Sequence, residues 1–488
     1  MDPLLIEQPI MAENEPASPP PANEPSSSDM QLPPEARDGA TALAQPELGL
    51  PPRPIAQKPR WPHPSFGWAL LWCLLFWIIF QMPSVIIAVL LIVGLAIFSP
   101  NAISSETMKN PADLFKSDVM NVALAVGQFV AEIIGIGFCW LVIRLVVGRD
   151  WMRQLAVRRP SVPHTLLALA IFPAFALLGN IAYGLLRTSG HVPSVSDPNP
   201  VNLVYFWAAV FNVLGLALLI SWLLAGFGWT RRLAARPARP ADFLVTAAVL
   251  PILTVCIVVI YEGLRRALPV SGLESVKLGG MEEMGEVIGK WPWPFAVLVI
   301  GVGPGIVEEL WCRGYLGRGL VGSHGVVLGV LASSFCFGLI HGDPCQGIMA
   351  MVMGLWLHFV YLTTRSLLLP MLLHFLNNSV AVMESRFPIL TFLDTKPAEI
   401  PVIVYVSAAL LLAAGVYALC QSRVRLAPRM QDQPLIWRPA FEGVEYPPAE
   451  SGMRVVHPLP SPAATVLTSV TFLLFMLACA NWVRALRG

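Results

Sequence analysis

Long apolar stretches follow one another along the chain from residue 67 onward. A helix needs about 20 apolar residues to cross the hydrocarbon core of a bilayer, and eleven stretches are suited to this. Because the hydrocarbon offers no water to backbone groups, such stretches must form helices. The sequence therefore predicts an all-α fold, a polytopic transmembrane helical bundle of about eleven spans. The expected spans are 67–98, 119–147, 164–186, 201–226, 240–262, 293–316, 325–341, 344–363, 366–383, 401–420 and 463–484.

The composition of the chain excludes two broad classes of protein. Hydrophobic residues make up 55% and charged residues 13% of the 488 residues, and the mean hydropathy is +0.64, whereas about a quarter of a soluble domain is charged. The 32 Lys and Arg residues nearly balance 31 Asp and Glu residues, so the chain lacks the basic field that attracts nucleic acid. We expect an integral, multi-pass membrane protein that contacts the lipid bilayer and has no nucleic-acid partner.

Changes in polarity divide the chain into six regions. The first, residues 1–60, is rich in Pro, Glu and Ser and has few aromatic residues, so we predict a disordered tail. The others are a set of N-terminal transmembrane helices in 61–292, helices with polar residues in 293–383, a further span within 384–420, a polar loop in 421–462 and a C-terminal span within 463–488.

Arginine accumulates in three connecting segments, 149–159, 229–239 and 421–462. Cytoplasmic loops of membrane proteins carry an excess of Lys and Arg. Alternation of the predicted spans places all three segments on the same side as the residues that precede the first span. We therefore expect the N-terminus to be cytoplasmic.

Residues 151–187 and 229–265 form a candidate internal repeat, since they align without a gap and match at positions such as Trp151 with Trp229. A duplication explains the match, and so does a shared suitability of both segments for the membrane interface. The sequence leaves both explanations open.

Titratable residues inside the spans are concentrated between residues 293 and 383, whereas the first five spans contain mainly Gln128, Glu132, Asn180 and Asn212. A charged group in hydrocarbon is costly, so each one is a functional candidate. In PGIVEELWCRGYLGRG, the spacing of Glu309 and Arg313 predicts a salt bridge along one helix face. Glu308 points about 100° away and is left to face a cavity as a base. The alternative is a purely structural ion network of all three residues.

Two further clusters follow, SSFCFGLIHGDP and LLPMLLHFLNNSVAV. Phe337 and His341 share a helix face in the first, as do His374 and Asn378 in the second. Singly, each His is also typical of hydrogen bonding between helices. At about 1.5 Å per residue, Glu308 and both imidazoles lie at depths of roughly 12 to 24 Å, so we expect them to meet inside the membrane. Such a group can activate water and stabilise an oxyanion.

The sequences EELWCR, FGLIH and HFLNN match the motifs EExxxR, FxxxH and HxxxN, in that order. Together they resemble the CPBP family of intramembrane proteases, which includes the CAAX prenyl endopeptidase and bacterial bacteriocin-processing proteins. The resemblance covers about residues 293–383. It implies an endopeptidase acting on a membrane-associated peptide or protein, hydrophobic or prenylated, and we expect the plasma membrane of a bacterium as its location.

The resemblance also implies a role for each motif residue. The implied roles are water activation by Glu308 with His341, transition-state support by His374 and Asn378, and supporting roles for Glu309, Arg313 and Phe337.

Whether the reaction uses a metal is left open by the sequence. Glu308, His341 and His374 are candidate Zn²⁺ ligands, and a catalytic zinc normally has three protein ligands. The general base of such enzymes is usually a further carboxylate, and the chain contains no HExxH motif. A metalloendopeptidase and a metal-free glutamate protease are both compatible with these residues.

A transporter or a catalytically silent membrane scaffold is the alternative to an enzyme, because polar residues also hold helices together or bind ions. A transporter would show broken helices in matching halves and a polar path to both faces. Here the titratable residues are confined to one short stretch, which favours a single reaction site.

Overall fold

The computed structural model describes residues 66–98, 118–188, 287–341, 344–384, 399–429 and 444–487. All of them fall within the larger of two units of the chain, Pro54–Gly488. The predicted tail, the predicted spans 201–226 and 240–262 and the second copy of the candidate repeat lie outside the described residues.

Each of the nine remaining predicted spans corresponds to a helix, so the helical fold is confirmed for the described part of the chain. The helices are α1 (Phe66–Phe98), α2 (Asp118–Val146), the short α3 (Trp151–Gln154), α4 (Val162–Thr188), α5 (Trp293–His324), α6 (Val326–Leu339), α7 (Pro344–Thr364), α8 (Leu368–Glu384), α9 (Val402–Gln421) and α10 (Pro462–Arg487).

Helix length separates two of these helices from the others. Seven of the described helices are long and apolar enough to cross a membrane, which makes the chain an integral membrane protein. In contrast, α6 has 14 residues and α8 has 17, fewer than the about 20 needed for a full crossing. The predicted spans at 325–341 and 366–383 are therefore present as helices but are shorter than expected.

The helix that carries the first motif, α5, is not a regular α-helix. Two π-helical segments, Val297–Val302 and Leu310–Gly317, flank the α-helical segment Gly303–Glu309. A π-helical turn contains an extra residue and is frequent at functional sites. The helix thus widens directly after the two glutamates of the motif.

An aromatic cluster around Trp311 fixes α5 against α1 and α2. The Trp311 side chain is fully buried, and its ring stacks on Phe76 of α1 at 4.9 Å between centroids. Phe138 of α2 lies 5.3 Å from the same ring, and Tyr315 packs edge-on against Trp72 at 5.5 Å. Because aromatic side chains bury large areas in defined geometries, this cluster holds the neighbouring glutamates in place.

The loop predicted at 421–462 contains a small sheet, which corrects the all-α prediction. Strands β1 (Arg425–Pro428) and β2 (Met453–Val456) pair in antiparallel register, and a 3-10 turn, Ala449–Ser451, precedes β2. Each strand has four residues, too few for an alternating apolar pattern to stand out.

The loop packs on the ends of the helices. Arg153 Nη1 donates a hydrogen bond of 2.6 Å to the Tyr446 carbonyl, and the Val424 amide donates one of 2.9 Å to the Thr363 carbonyl. Described residues of two of the three Arg-rich segments, 149–159 and 421–462, are therefore in contact with each other.

Candidate active site

The buried centre of the site consists of Glu309, Arg313 and His374. Arg313 Nη1 donates a hydrogen bond of 2.7 Å to Glu309 Oε1, which confirms the salt bridge predicted from their spacing. His374 Nδ1 lies 2.9 Å from the same oxygen and joins α8 to α5. Glu309 and Arg313 are 0% and 1% exposed. Each charge is therefore stabilised by the other, because removal of one partner would leave a buried, unpaired charge.

The neighbouring carboxylate, Glu308, is buried without an ion pair of this kind. Its Oε2 lies 3.9 Å from His374 Nε2, beyond hydrogen-bond distance, and has no hydrogen-bond partner among the described residues. An ionised carboxylate only accepts hydrogen bonds, so His374 Nδ1 carries the proton that is shared with Glu309. The other ring nitrogen, Nε2, is consequently the one directed towards Glu308.

His341 is connected to the site by the Phe337 ring, which contacts both imidazoles. His341 Nδ1 lies 2.8 Å from the Phe337 carbonyl oxygen at the end of α6. The Phe337 ring meets the imidazoles of His341 and His374 edge-on, at 5.0 and 5.7 Å between centroids, and the Arg313 guanidinium lies 4.2 Å above its face. The three motifs therefore meet at this ring. Within the described residues, no hydrogen bond joins His341 to Glu308.

Asn378 connects α8 to the first π-helical segment of α5. Its Nδ2 donates a hydrogen bond of 3.0 Å to the Ile300 carbonyl, and its Oδ1 accepts one of 3.3 Å from Asn377. An amide nitrogen carries two hydrogens, so one N–H of Asn378 remains for another acceptor.

A carboxylate outside the three motifs, Glu132 of α2, is also part of this region. Gln128 donates a hydrogen bond of 3.1 Å to Glu132 Oε1, while Oε2 has no hydrogen-bond partner in the described part of the chain. A Cβ atom at Gly303 of α5 would overlap the Glu132 carboxyl group, so this acid packs against the α5 segment that carries Glu308. No role is predicted for Glu132 from the sequence. An acid inside an apolar span was the signal, but its neighbours depend on tertiary packing.

Glu308, His341 and His374 are the zinc ligands that the sequence predicts. Among the described residues, no three His, Cys, Asp or Glu side chains are grouped so as to hold a metal ion. The Nδ1 atom of His374 is engaged by Glu309 and that of His341 by a backbone carbonyl. These contacts leave Nε2 of each imidazole as the nitrogen that could bind a metal, and the zinc site made of Glu308, His341 and His374 stays a sequence prediction.

The three motifs lie on α5, α6 and α8, in chain order and around one ring, as the resemblance in sequence implies. Residues 290–380 match the Rce1-like family model, described as type II CAAX prenyl endopeptidase Rce1-like. The resemblance is confirmed for this Rce1-like segment, which contains every site residue predicted from the sequence. The segment is less than a fifth of the chain. No curated protein and no solved structure gives a match.

Proposed function

We propose that the protein is an intramembrane endopeptidase in which Glu308 activates the attacking water. The contrast between the two adjacent glutamates is the observation that carries this proposal. Glu309 is bound by Arg313 and His374, whereas Glu308 is buried beside an imidazole with an oxygen that no described residue engages. The match of residues 290–380 to the Rce1-like family supports the same reaction.

In the proposed reaction, Glu308 takes a proton from the water as its oxygen attacks the peptide carbonyl carbon. The C–N bond then breaks, and the proton passes from Glu308 to the leaving amine. His341, whose Nδ1 is held by the Phe337 carbonyl, keeps Nε2 available to assist this proton transfer.

The oxyanion that forms during attack needs hydrogen-bond donors fixed in advance. We assign this role to His374 and Asn378, which are one turn apart on α8. Glu309 fixes the orientation of the His374 ring, and the Ile300 carbonyl fixes that of the Asn378 amide. Asn378 supplies its second amide N–H as a donor, and His374 supplies the hydrogen on Nε2 when its ring is protonated at both nitrogens.

The proposed substrate is a peptide with a hydrophobic or prenylated membrane anchor. A site among membrane-embedded helices can receive only an extended chain. Each buried CH₂ group of an anchor contributes about 0.8 kcal/mol to the free energy of membrane binding, which raises the concentration of the peptide near the site. The eleven-span topology with a cytoplasmic N-terminus, in the plasma membrane of a bacterium, belongs to the same proposal.

Matched peptides with and without a lipid anchor, offered to the purified protein in liposomes, test this function. We expect cleavage of the anchored peptide only, and its loss in the Glu308→Gln variant. Ser407→Ala on α9, which removes a buried hydroxyl bonded to the Val404 carbonyl, is the matched control and should retain activity. Transport or scaffolding would be indicated by an absence of cleavage in the wild type. Equal cleavage of both peptides would contradict the membrane-embedded site.

A further inference from the structure

A narrow crevice extends from Arg313 towards the C-terminal end of α5. Its lining includes Arg313, Gly317 and Arg318 of α5, His358 of α7, Gln154 of α3 and Glu445 of the loop. Glu308, Glu309 and His374 do not line it. The crevice is therefore separate from the proposed catalytic group and shares only the Arg313 side chain with it.

One edge of the Arg313 guanidinium is unused. Nη1 is bound to Glu309, but Nε and Nη2 have no hydrogen-bond partner among the described residues, although the side chain is 1% exposed. In the planar guanidinium, these two N–H groups are parallel and match the two oxygens of a carboxylate. An unsatisfied buried donor costs about 1–3 kcal/mol of free energy, so binding of a hydrogen-bond acceptor at this edge would remove that cost.

The wall opposite Arg313 adds a second unused polar group. His358 is 1% exposed, and its Nδ1 has no hydrogen-bond partner within the described ranges. A Cβ atom at Gly317 would overlap the His358 ring, so the glycine is what lets α5 and α7 approach here. Arg318 lies beside them and is held in place by a hydrogen bond to Gln154 Oε1.

The charges that line the crevice favour an anion. Arg313 is paired with Glu309 at 2.7 Å and the acid in the lining, Glu445, with Arg153 at 3.2 Å, so the excess positive charge of the lining comes from Arg318. A carboxylate therefore meets more positive than negative charge there.

We propose that this crevice binds a carboxylate group of the peptide substrate or product on the Nε–Nη2 edge of Arg313. The identity of the ligand as a peptide rests on the proposed function. Two sources share the required chemistry, namely the C-terminal carboxylate and the side chain of an Asp or Glu residue.

Binding of lipid-anchored peptides to the Glu308→Gln protein in nanodiscs tests this inference without catalysis. Three peptides of one sequence are compared: a free C-terminal acid, its C-terminal amide, and the amide with one Asp added. Loss of the paired hydrogen bonds should weaken binding of the plain amide about tenfold relative to the acid. Recovery of affinity by the added Asp would identify a side-chain carboxylate as the ligand, and no recovery would identify the C-terminus.

Substitution of Arg313 in this background tests the assignment to its edge. Arg313→Lys keeps a positive charge towards Glu309 but lacks the paired donors, so the preference for the acid should disappear. Arg149→Lys, at an exposed position near the end of α2, is the control and should keep the preference.

Two results distinguish a failure of the carboxylate site from a failure of the proposed reaction. Equal affinity of all three peptides for the Glu308→Gln protein would overturn the carboxylate site and would leave the reaction untouched. A preference for the acid in a wild-type protein that cleaves no peptide would overturn the reaction alone. The comparison of peptides needs no substitution at Arg313, so it decides the question even if Arg313→Lys does not fold.

Discussion

Glu308 and Glu309 have the same chemistry and adjacent positions but different surroundings. Glu309 lies between Arg313 and His374 and is completely buried, which makes it a structural and orienting group. Glu308 lies near His374 without a direct hydrogen bond to it. Substitutions at the two positions should consequently affect different properties.

Glu309→Ala should reduce stability far more than Glu308→Ala does. It leaves Arg313 buried without its partner, which costs about 3–5 kcal/mol, whereas Glu308 satisfies no buried cation. Thermal unfolding in detergent, together with membrane abundance, measures the difference. Similar melting temperatures for the two variants would contradict the assignment of separate roles.

Gly303→Ala should destabilise the protein because the new methyl group overlaps the Glu132 carboxyl. Overpacking of this kind typically costs about 1–3 kcal/mol. The cost should fall when Glu132 is also replaced by Ala, since the double substitution removes the overlap. A double-mutant cycle of unfolding free energies measures this coupling. Additive effects would show that the two residues do not meet.

At the scale of the helices, α5 determines the position of the catalytic group. The aromatic cluster anchors this helix one turn beyond the glutamates, and the π-helical segments change its geometry on both sides of them. Damage to the anchor should therefore affect both stability and activity.

Trp311→Ala should cost about 3–5 kcal/mol of stability, the usual range for deletion of a buried aromatic side chain. Trp140→Ala is the matched control, because Trp140 is 51% exposed on α2. Chemical denaturation of both variants in the same detergent checks the prediction. If both variants unfold at the same denaturant concentration, the cluster does not anchor α5.

The sequence predicts contacts within one helix better than contacts between helices. The Glu309–Arg313 pair follows from a spacing of four residues, and the helices follow from apolar stretches that must satisfy their own backbone groups. The contact of His374 with Glu309 and the approach of Glu132 to Gly303 depend on how separate helices pack, which a single sequence does not specify. The π-helical segments and the four-residue strands carry no distinct periodic signal.

At the scale of the whole molecule, three arginines of the described residues contact the segment that precedes β2. Arg153 and Arg365 both donate hydrogen bonds to the loop of residues 444–446, and the Arg158 guanidinium lies 3.9 Å from the centre of the Tyr446 ring. These contacts connect α3, the end of α7 and the segment before β2. They bring described residues of two of the Arg-rich segments, 149–159 and 421–462, into contact.

Labelling of single cysteines from one face of the membrane should place residues 149–159, 229–239 and 421–462 on the same side. Residues 99–118 and 263–292 should be labelled from the other side, since an Arg excess marks the cytoplasmic face. Cys420 and the other native cysteines are replaced first to remove background. Labelling of two Arg-rich segments from opposite faces would refute the eleven-span topology.

The decisive measurement for Glu308 as the base is the rate at which the Glu308→Gln variant cleaves a membrane-anchored peptide, relative to the wild type. Loss of a general base typically lowers the rate by about 10²–10⁴-fold, and we predict a decrease of this size with an unchanged melting temperature. A Glu308→Gln protein that cleaves the peptide at the wild-type rate would contradict the assignment of Glu308 as the base.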